Sequence, residues 1–231
     1  MQRNATTRIL IFLLVLALAT AAGAQVRVGA LGGLNLSDFR VPEDNPFDAD
    51  PDDFLRNTVY GAGAFVETPL VGAVSLRAQL LFLKTSCDYR EQLDQVYTYN
   101  LSYLELPLLF KVSLGRMLRP YFLAGPSVGY AVAAEADLRQ GVVTGTADVS
   151  HITKKLDFSL CFGAGLGFDI GRVTLFVEGL YVRGLRNVNK GGSIEMDLEG
   201  FLVDQEVDPL DVKPFGTHLM AGVSLPLGGR K

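Results

Sequence analysis

One stretch of fifteen residues, from Leu156 to Ile170, constrains the fold of this chain more than any other. Its even positions are all apolar and include four Leu or Ile and three Phe residues, whereas its odd positions are Asp, Ser, Cys or Gly. Because successive side chains of a strand point to opposite faces, this alternation predicts one bulky apolar face and one small, wet face. The unbroken phase is long for a soluble strand but suits a tilted crossing of a membrane. The stretch therefore predicts a transmembrane strand whose glycines line a narrow interior.

The same alternation recurs along the chain in segments that are joined alternately by long and short connections. The predicted strands lie at 26–36, 58–68, 73–85, 97–114, 119–134, 156–170, 173–185 and 214–227. Long polar connections follow the first, third, fifth and seventh strands, and short turns follow the second, fourth and sixth. This asymmetry is typical of outer-membrane barrels, whose long loops face outwards and whose short turns face the periplasm. The sequence predicts an all-β fold, a closed eight-stranded antiparallel up-and-down transmembrane β-barrel.

The N-terminus has the features of a secretory signal peptide. Arg3 and Arg8 provide positive charge, and an apolar core and an Ala-Gly-Ala cleavage site follow them. We expect cleavage before Gln25, which divides the chain into a signal peptide at 1–24 and an outer-membrane barrel domain at 25–231. Export through the inner membrane of a Gram-negative cell then leads to the outer membrane as the expected location.

The charge balance argues against nucleic acid as a partner, because the chain carries a formal net charge of −4. Its acids concentrate in the predicted outer loops, where Asp48, Asp50 and Asp52 alternate and where the loop at 186–213 is also acidic. Alternating carboxylates occur in calcium loops, but the glycine and the distal Glu of such loops are absent here. Solvated surface acids are the simpler interpretation, and the sequence predicts no metal and no cofactor.

Several charged residues fall on the small, inward face of the predicted strands. They are Glu67, Arg77, Glu105, Lys111, Asp157 and Glu178. Charges inside a narrow barrel must pair with one another or meet water, and both signs are present, so a self-neutralising structural network is expected. An eight-stranded barrel is just wide enough for side chains to fill it. These residues therefore favour a plugged scaffold over a diffusion pore.

Histidine and cysteine usage gives no sign of catalysis or of covalent cross-linking. His151 falls in a long loop, whereas His218 faces inwards on the last strand, beside the strand that carries Glu178. A His–Glu pair is conceivable there, but no Ser stands beside it in a recognisable nucleophile setting. Cys87 and Cys161 are the only cysteines, and the heights predicted for them differ, which favours two free thiols over a disulfide.

Five segments of the chain together resemble one family of membrane barrels. They are 33–37 (Gly-Leu-Asn-Leu-Ser), 103–111 (Tyr-Leu-Glu-Leu-Pro-Leu-Leu-Phe-Lys), 120–126 (Pro-Tyr-Phe-Leu-Ala-Gly-Pro), 163–167 (Gly-Ala-Gly-Leu-Gly) and 181–187. In order and spacing they resemble the PorT-like outer membrane β-barrel family, whose barrels are of the eight-stranded OmpX/OmpA-like type. The resemblance implies an eight-stranded barrel. Most members lack an assigned activity, and the namesake is linked to protein secretion across the outer membrane.

The predicted function is that of a non-enzymatic outer-membrane barrel, a structural or interaction scaffold that presents long acidic extracellular loops. A narrow porin-like channel or a secretion-accessory component is an alternative, since the sequence does not decide whether a continuous polar path crosses the interior. A secreted lipocalin-like binder is a second alternative, although it would expose a belt of Leu and Phe to water. The expected partners are outer membrane lipid and lipopolysaccharide, the barrel-assembly machinery, and an extracellular or secretion-system protein. The barrel is expected to be a monomer.

Overall fold

The computed structural model describes residues 25–40, 54–56, 58–91, 95–115, 117–140, 143–148, 155–185, 192–198, 201–207 and 213–227. The predicted signal peptide lies outside these residues. The strands are β1 (Arg27–Arg40), β2 (Phe54–Arg56), β3 (Thr58–Val71), β4 (Val74–Glu91), β5 (Gln95–Ser113), β6 (Leu118–Gln140), β7 (Val143–Asp148), β8 (Leu156–Ile170), β9 (Val173–Gly184), β10 (Gly192–Leu198), β11 (Phe201–Val207) and β12 (Lys213–Pro226). Among the described residues, no helix has the length and apolarity needed to cross a membrane.

Eight of these strands close into an antiparallel barrel. Their order around the barrel is β1, β3, β4, β5, β6, β8, β9 and β12. β12 pairs with β1 over the full length of both strands, so the first and last strands of the chain close the barrel. β6 pairs directly with β8, from Leu118↔Phe168 to Tyr130↔Leu156. The short β7, which lies between them in sequence, is therefore not part of the barrel. The predicted closed eight-stranded up-and-down barrel is confirmed.

Three tight turns, the start of β1 and the end of β12 meet at one end of the barrel. Gly72, Gly115 and Gly171 lie in these turns with φ angles of 56°, 85° and 62°. Glycine adopts such positive angles without the strain that a side chain would bring, so each strand reverses at once. At the same end the amide of Leu227 donates a hydrogen bond to the carbonyl of Val26 at 2.6 Å. This end corresponds to the periplasmic end that the sequence predicts.

At the opposite end, the strands run further than the sequence predicts. β4 continues to Glu91 and β6 to Gln140, and the segments predicted as loops contain β2, β7 and the hairpin of β10 and β11. β7 pairs with the outer part of β6, and β10 pairs with β7, so a sheet extends beyond the barrel rim. The prediction of plain loops there is wrong, because backbone pairing outside the membrane does not need the apolar alternation used as the signal.

The outer wall of the barrel is apolar. In β8, Leu160, Phe162 and Leu166 are 37%, 52% and 41% exposed, whereas Asp157 and Cys161 on the alternate positions are buried. The other barrel strands repeat this arrangement, and large exposed hydrophobic residues occur on all eight. Such a wall suits hydrocarbon and would be unfavourable in water. The predicted direction of the two faces is confirmed, and it is the opposite of what the soluble-binder alternative requires.

Candidate functional site: the barrel interior

A cluster of charges fills the interior near the periplasmic end and is centred on Arg77, which is 1% exposed. The Nε of Arg77 donates to Glu67 Oε2 at 3.0 Å, and its Nη1 donates to Glu178 Oε2 at 2.7 Å. Lys111 Nζ contacts the same Glu67 oxygen at 3.0 Å, and the Tyr121 hydroxyl donates to Glu178 Oε2 at 2.7 Å. Two cations thus meet two carboxylates, which satisfies each buried charge. We call these five residues the basal cluster.

Aromatic rings surround the guanidinium at the centre of the basal cluster. The Cζ atom of Arg77 lies 4.3 Å from the ring centroid of Phe65 and 5.3 Å from that of Phe176, close enough for cation–π attraction. The two rings meet edge to face at 5.6 Å. Each ring also lies over a glycine, since a Cβ at Gly29 would overlap Phe65 and a Cβ at Gly222 would overlap Phe176. These two inward glycines therefore make room for aromatic rings in the narrow interior.

Above the basal cluster, the middle of the barrel is packed with apolar side chains. This apolar layer consists of Leu31, Leu81, Leu83, Leu109, Leu123, Cys161, Leu180, Val182 and Met220, all of them buried in one hydrophobic cluster. On β5, Leu109 stands between Lys111 of the basal cluster and Glu105 nearer the extracellular end. The sequence analysis did not predict this layer, because its leucines are large apolar residues on the small face and break the pattern that defined that face.

Two of the six predicted network residues lie apart from the other four. Glu105 and Asp157 are buried nearer the extracellular end, in register with Gly129 of β6 between them. Glu105 Oε1 accepts a hydrogen bond from Ser127 Oγ at 2.8 Å, and Asp157 Oδ2 accepts one from Ser159 Oγ at 3.3 Å. The interior charges therefore divide into the basal cluster and this upper acidic pair. The division follows from their heights on the strands, with the apolar layer in between.

A further polar cluster at the periplasmic rim was not predicted. Arg119 Nη2 contacts Asp169 Oδ1 at 2.6 Å, and the side chains of this pair are 29% and 30% exposed. The Thr174 hydroxyl donates to the same carboxylate, and Arg27 also contacts that hydroxyl. Asp169 and Thr174 are register partners on either side of the turn at Gly171. The tight turn was therefore the signal that could have brought these residues together.

His218 faces the interior, as predicted, but it does not pair with Glu178. Its register partner on β9 is Leu180, whereas Glu178 lies opposite Met220. Glu178 is instead held by the guanidinium of Arg77 and by a tyrosine hydroxyl. Nδ1 of His218 is buried and has no hydrogen-bond partner among the described residues. The histidine is therefore not arranged as a general base beside a carboxylate.

Several other sequence predictions involve side chains outside the described part of the chain. Cys161 is a free, buried thiol, but the side chain of Cys87 is not among those described, so the prediction of two free thiols is untested. His151 and the alternating acids at 48–52 also lie outside the described residues. Within the described residues, no group of three or more His, Cys, Asp or Glu side chains could hold a metal ion.

Comparison with models of known protein families identifies the family of this chain. A family model described as the outer membrane protein beta-barrel domain matches residues 19–190, which is more than half of the chain. The chain belongs to the outer membrane protein beta-barrel family. Membership of this family and the apolar wall together support an outer-membrane location. No curated protein matches the sequence.

Two solved structures are similar to this outer membrane β-barrel. OprG from Pseudomonas aeruginosa matches with a TM-score of 0.54 and 9% identity, over 89% of this chain and 98% of OprG. A major outer membrane protein from Thermus thermophilus matches with a TM-score of 0.51 and 10% identity, over 88% of this chain and 99% of that chain. At such low identity the similarity concerns the fold alone.

Proposed function

We propose that this protein is a closed, non-enzymatic scaffold of the outer membrane, which holds an acidic β-structure outside the membrane for contact with another protein. The observation that carries the proposal is the apolar layer, in which Leu81 and Leu109 are 1% and 0% exposed. A hydrated ion would have to lose its water to pass these side chains, which is costly. The barrel is therefore expected to anchor and orient its outer part rather than to conduct solutes.

The chemistry of the interior supports a structural role over catalysis. Arg77 forms ion pairs with the carboxylates of Glu178 and Glu67, at N–O distances of 2.7 and 2.9 Å. A general base needs a proton acceptor within hydrogen-bond reach of a reacting group, and these carboxylates already bind cations. His218, the one described histidine, has no carboxylate against its buried Nδ1 among the described residues.

The hairpin of β10 and β11 supports the second half of the proposal. Glu195 is the register partner of Asp204, and Ser193 is the register partner of Glu206. Register partners of an antiparallel pair share a phase, and Asp197 lies two residues from Glu195, so four acids take one phase of the hairpin. No Lys or Arg occurs anywhere from 192 to 207. Like charges directly opposite each other destabilise a strand pair, and a basic partner would relieve that cost.

Planar-bilayer recording of the refolded mature protein tests the closed barrel. We expect a band shift on unheated gels, which marks a folded barrel, and no steady conductance. A Leu81→Gly/Leu109→Gly variant, which empties part of the apolar layer, should conduct or flicker. A steady conductance in the wild type would reject the scaffold proposal in favour of the narrow-channel alternative.

Site-specific crosslinking tests the outer contact. A photoreactive residue at Ser193 of β10, which shares the phase of Glu195, should capture a protein in intact cells, whereas one at Arg172 in a periplasmic turn should not capture the same protein. Substitution of Glu195 and Asp204 by Lys should abolish the product while the barrel still folds. A product that survives this charge reversal would contradict recognition by these acids.

The resemblance of five segments to PorT-like barrels supports a narrower proposal about the partner. Within the outer membrane protein beta-barrel family, we place the chain in the PorT-like group and expect the captured protein to belong to a secretion system. Mass spectrometry of the product from Ser193 tests this expectation. A partner without a role in secretion would separate the chain from that group and leave the scaffold proposal intact.

A further inference from the structure

Among the side chains that the structure describes, the lipid-facing wall carries only two charges, and both are positive. Lys84 on β4 and Arg183 on β9 are exposed, and they share the outward phase of Phe82 and Tyr181. The acids of the barrel strands whose side chains the structure describes, by contrast, all take the inward phase. Membrane proteins rarely place a charge on the surface that faces lipid. The two cations therefore require a specific explanation.

Both cations stand at the same height, at the extracellular edge of the apolar wall. Both strands begin directly after a tight turn, β4 at Val74 and β9 at Val173. Lys84 and Arg183 each lie ten residues after the first residue of their strand. With a rise of about 3.3 Å per residue and a strand tilt of about 40°, ten residues climb about 25 Å. The apolar band of an outer-membrane barrel is about 25 Å tall. Both cations therefore reach the headgroups of the outer leaflet.

Neither cation is neutralised by a described residue of the protein. The ion pairs of the described chain belong to Arg77, Lys111 and Arg119, all of which point inwards. Lys84 Nζ instead lies 5.6 Å from the ring centroid of Tyr60, a side chain that is 66% exposed. Tyrosine, with an apolar ring and a polar hydroxyl group, is suited to the membrane surface. Contact with the ring does not neutralise the ammonium group of Lys84, which can still bind an anion from the lipid side.

We propose that Lys84 and Arg183 bind the phosphate groups of a phosphorylated glycolipid in the outer leaflet. The distribution of charge along the wall supports this partner, because among the described strand residues the opposite edge of the wall presents exposed Leu70 and Leu118 and no cation. Three strands, β3, β1 and β12, lie between β4 and β9, and the register offsets the two cations by four residues along the strands, so they are about 23 Å apart along the wall. Each cation therefore binds its own lipid. The proposal rests on the orientation of the proposed function, with the strand extensions outside the cell.

Native mass spectrometry of the mature protein in detergent micelles tests this proposal, with lipid A as the probe. We expect the wild type to bind two lipid A molecules, and we expect Lys84→Gln and Arg183→Gln each to weaken the binding of one of them. Each substitution should weaken binding at its own site about fivefold, the usual contribution of one basic residue at an anionic membrane surface. Arg172→Gln also removes one exposed positive charge, but in a periplasmic turn, and this control should bind like the wild type.

Two further lipids and one rescue variant complete the test. Lipid A without its phosphates should bind at least fivefold more weakly, and Lys84→Arg should bind like the wild type. Equal binding of the dephosphorylated lipid, equal binding of phosphatidylglycerol, or full binding by the Lys84→Gln/Arg183→Gln variant would each overturn the proposal. The gel band shift checks that every variant is folded. Conductance is measured separately, so failure of the scaffold proposal is distinguishable from failure of the lipid sites.

Discussion

Replacement of Arg77 by Met should destabilise the barrel strongly, because it leaves a buried carboxylate without a cation. Lys111 still neutralises Glu67 at 3.0 Å in this variant. Glu178, however, keeps only two neutral donors, the Tyr121 hydroxyl at 2.7 Å and the Gln79 amide at 3.4 Å. Breaking a buried ion pair from one side costs about 3–5 kcal/mol. We expect a loss of unfolding free energy in this range.

The rim pair of Arg119 and Asp169 provides the matched control. Its N–O distance of 2.6 Å resembles those of Arg77, but its side chains are 29% and 30% exposed. When one charge of this pair is removed, water can therefore solvate the charge that remains. Such exposed pairs contribute about 0–1 kcal/mol to the unfolding free energy. Arg119→Met should lower the unfolding free energy by no more than that. Burial, and not distance, decides the difference between the two variants.

Urea titration in phospholipid vesicles measures both variants. The chain contains no Trp, so the folded fraction is read from the gel band shift instead of indole fluorescence. An Arg77→Met/Glu178→Gln double variant, which also removes the unpaired charge, should recover at least about 2 kcal/mol of the loss. If Arg77→Met costs no more than Arg119→Met, or if the double variant is less stable than the single one, the account of the basal cluster is incorrect.

The same titration checks two further predictions, one for each face of the wall. Leu166→Arg places a charge near the middle of the lipid-facing wall and should cost about 2–4 kcal/mol, whereas Leu160→Arg, at the height of Arg183, should cost about 0–1 kcal/mol. Equal costs would refute the assigned heights. Gly165→Ala places a Cβ inside the ring of Tyr121 and should cost about 1–3 kcal/mol, but Gly167→Ala meets ordinary contacts and should be nearly neutral. A neutral Gly165→Ala would show that the ring moves freely.

The sequence predicts the barrel best where its two faces differ most. The bounds of β8, 156–170, are those predicted, because no large residue interrupts its small face. On β4 that face also carries Leu81 and Leu83, whose side chains fill the space beside Gly63 and Gly61 of β3. Such a match depends on neighbours that are distant in sequence, so periodicity within one strand cannot predict it. The grouping of the six interior charges was only partly predictable for the same reason, since it depends on their relative heights.

The seam between β1 and β12 has a consequence for the order in which the barrel forms. Its register runs from Arg27↔Pro226 to Arg40↔Lys213, so it joins the first and last strands that the structure describes. Every other strand can pair with a neighbour while the chain is still incomplete, but this pairing must wait for the final strand. Contacts between such distant residues form slowly. Until they form, β1 presents a row of unpaired amides and carbonyls, and an assembling partner would have to cover this row.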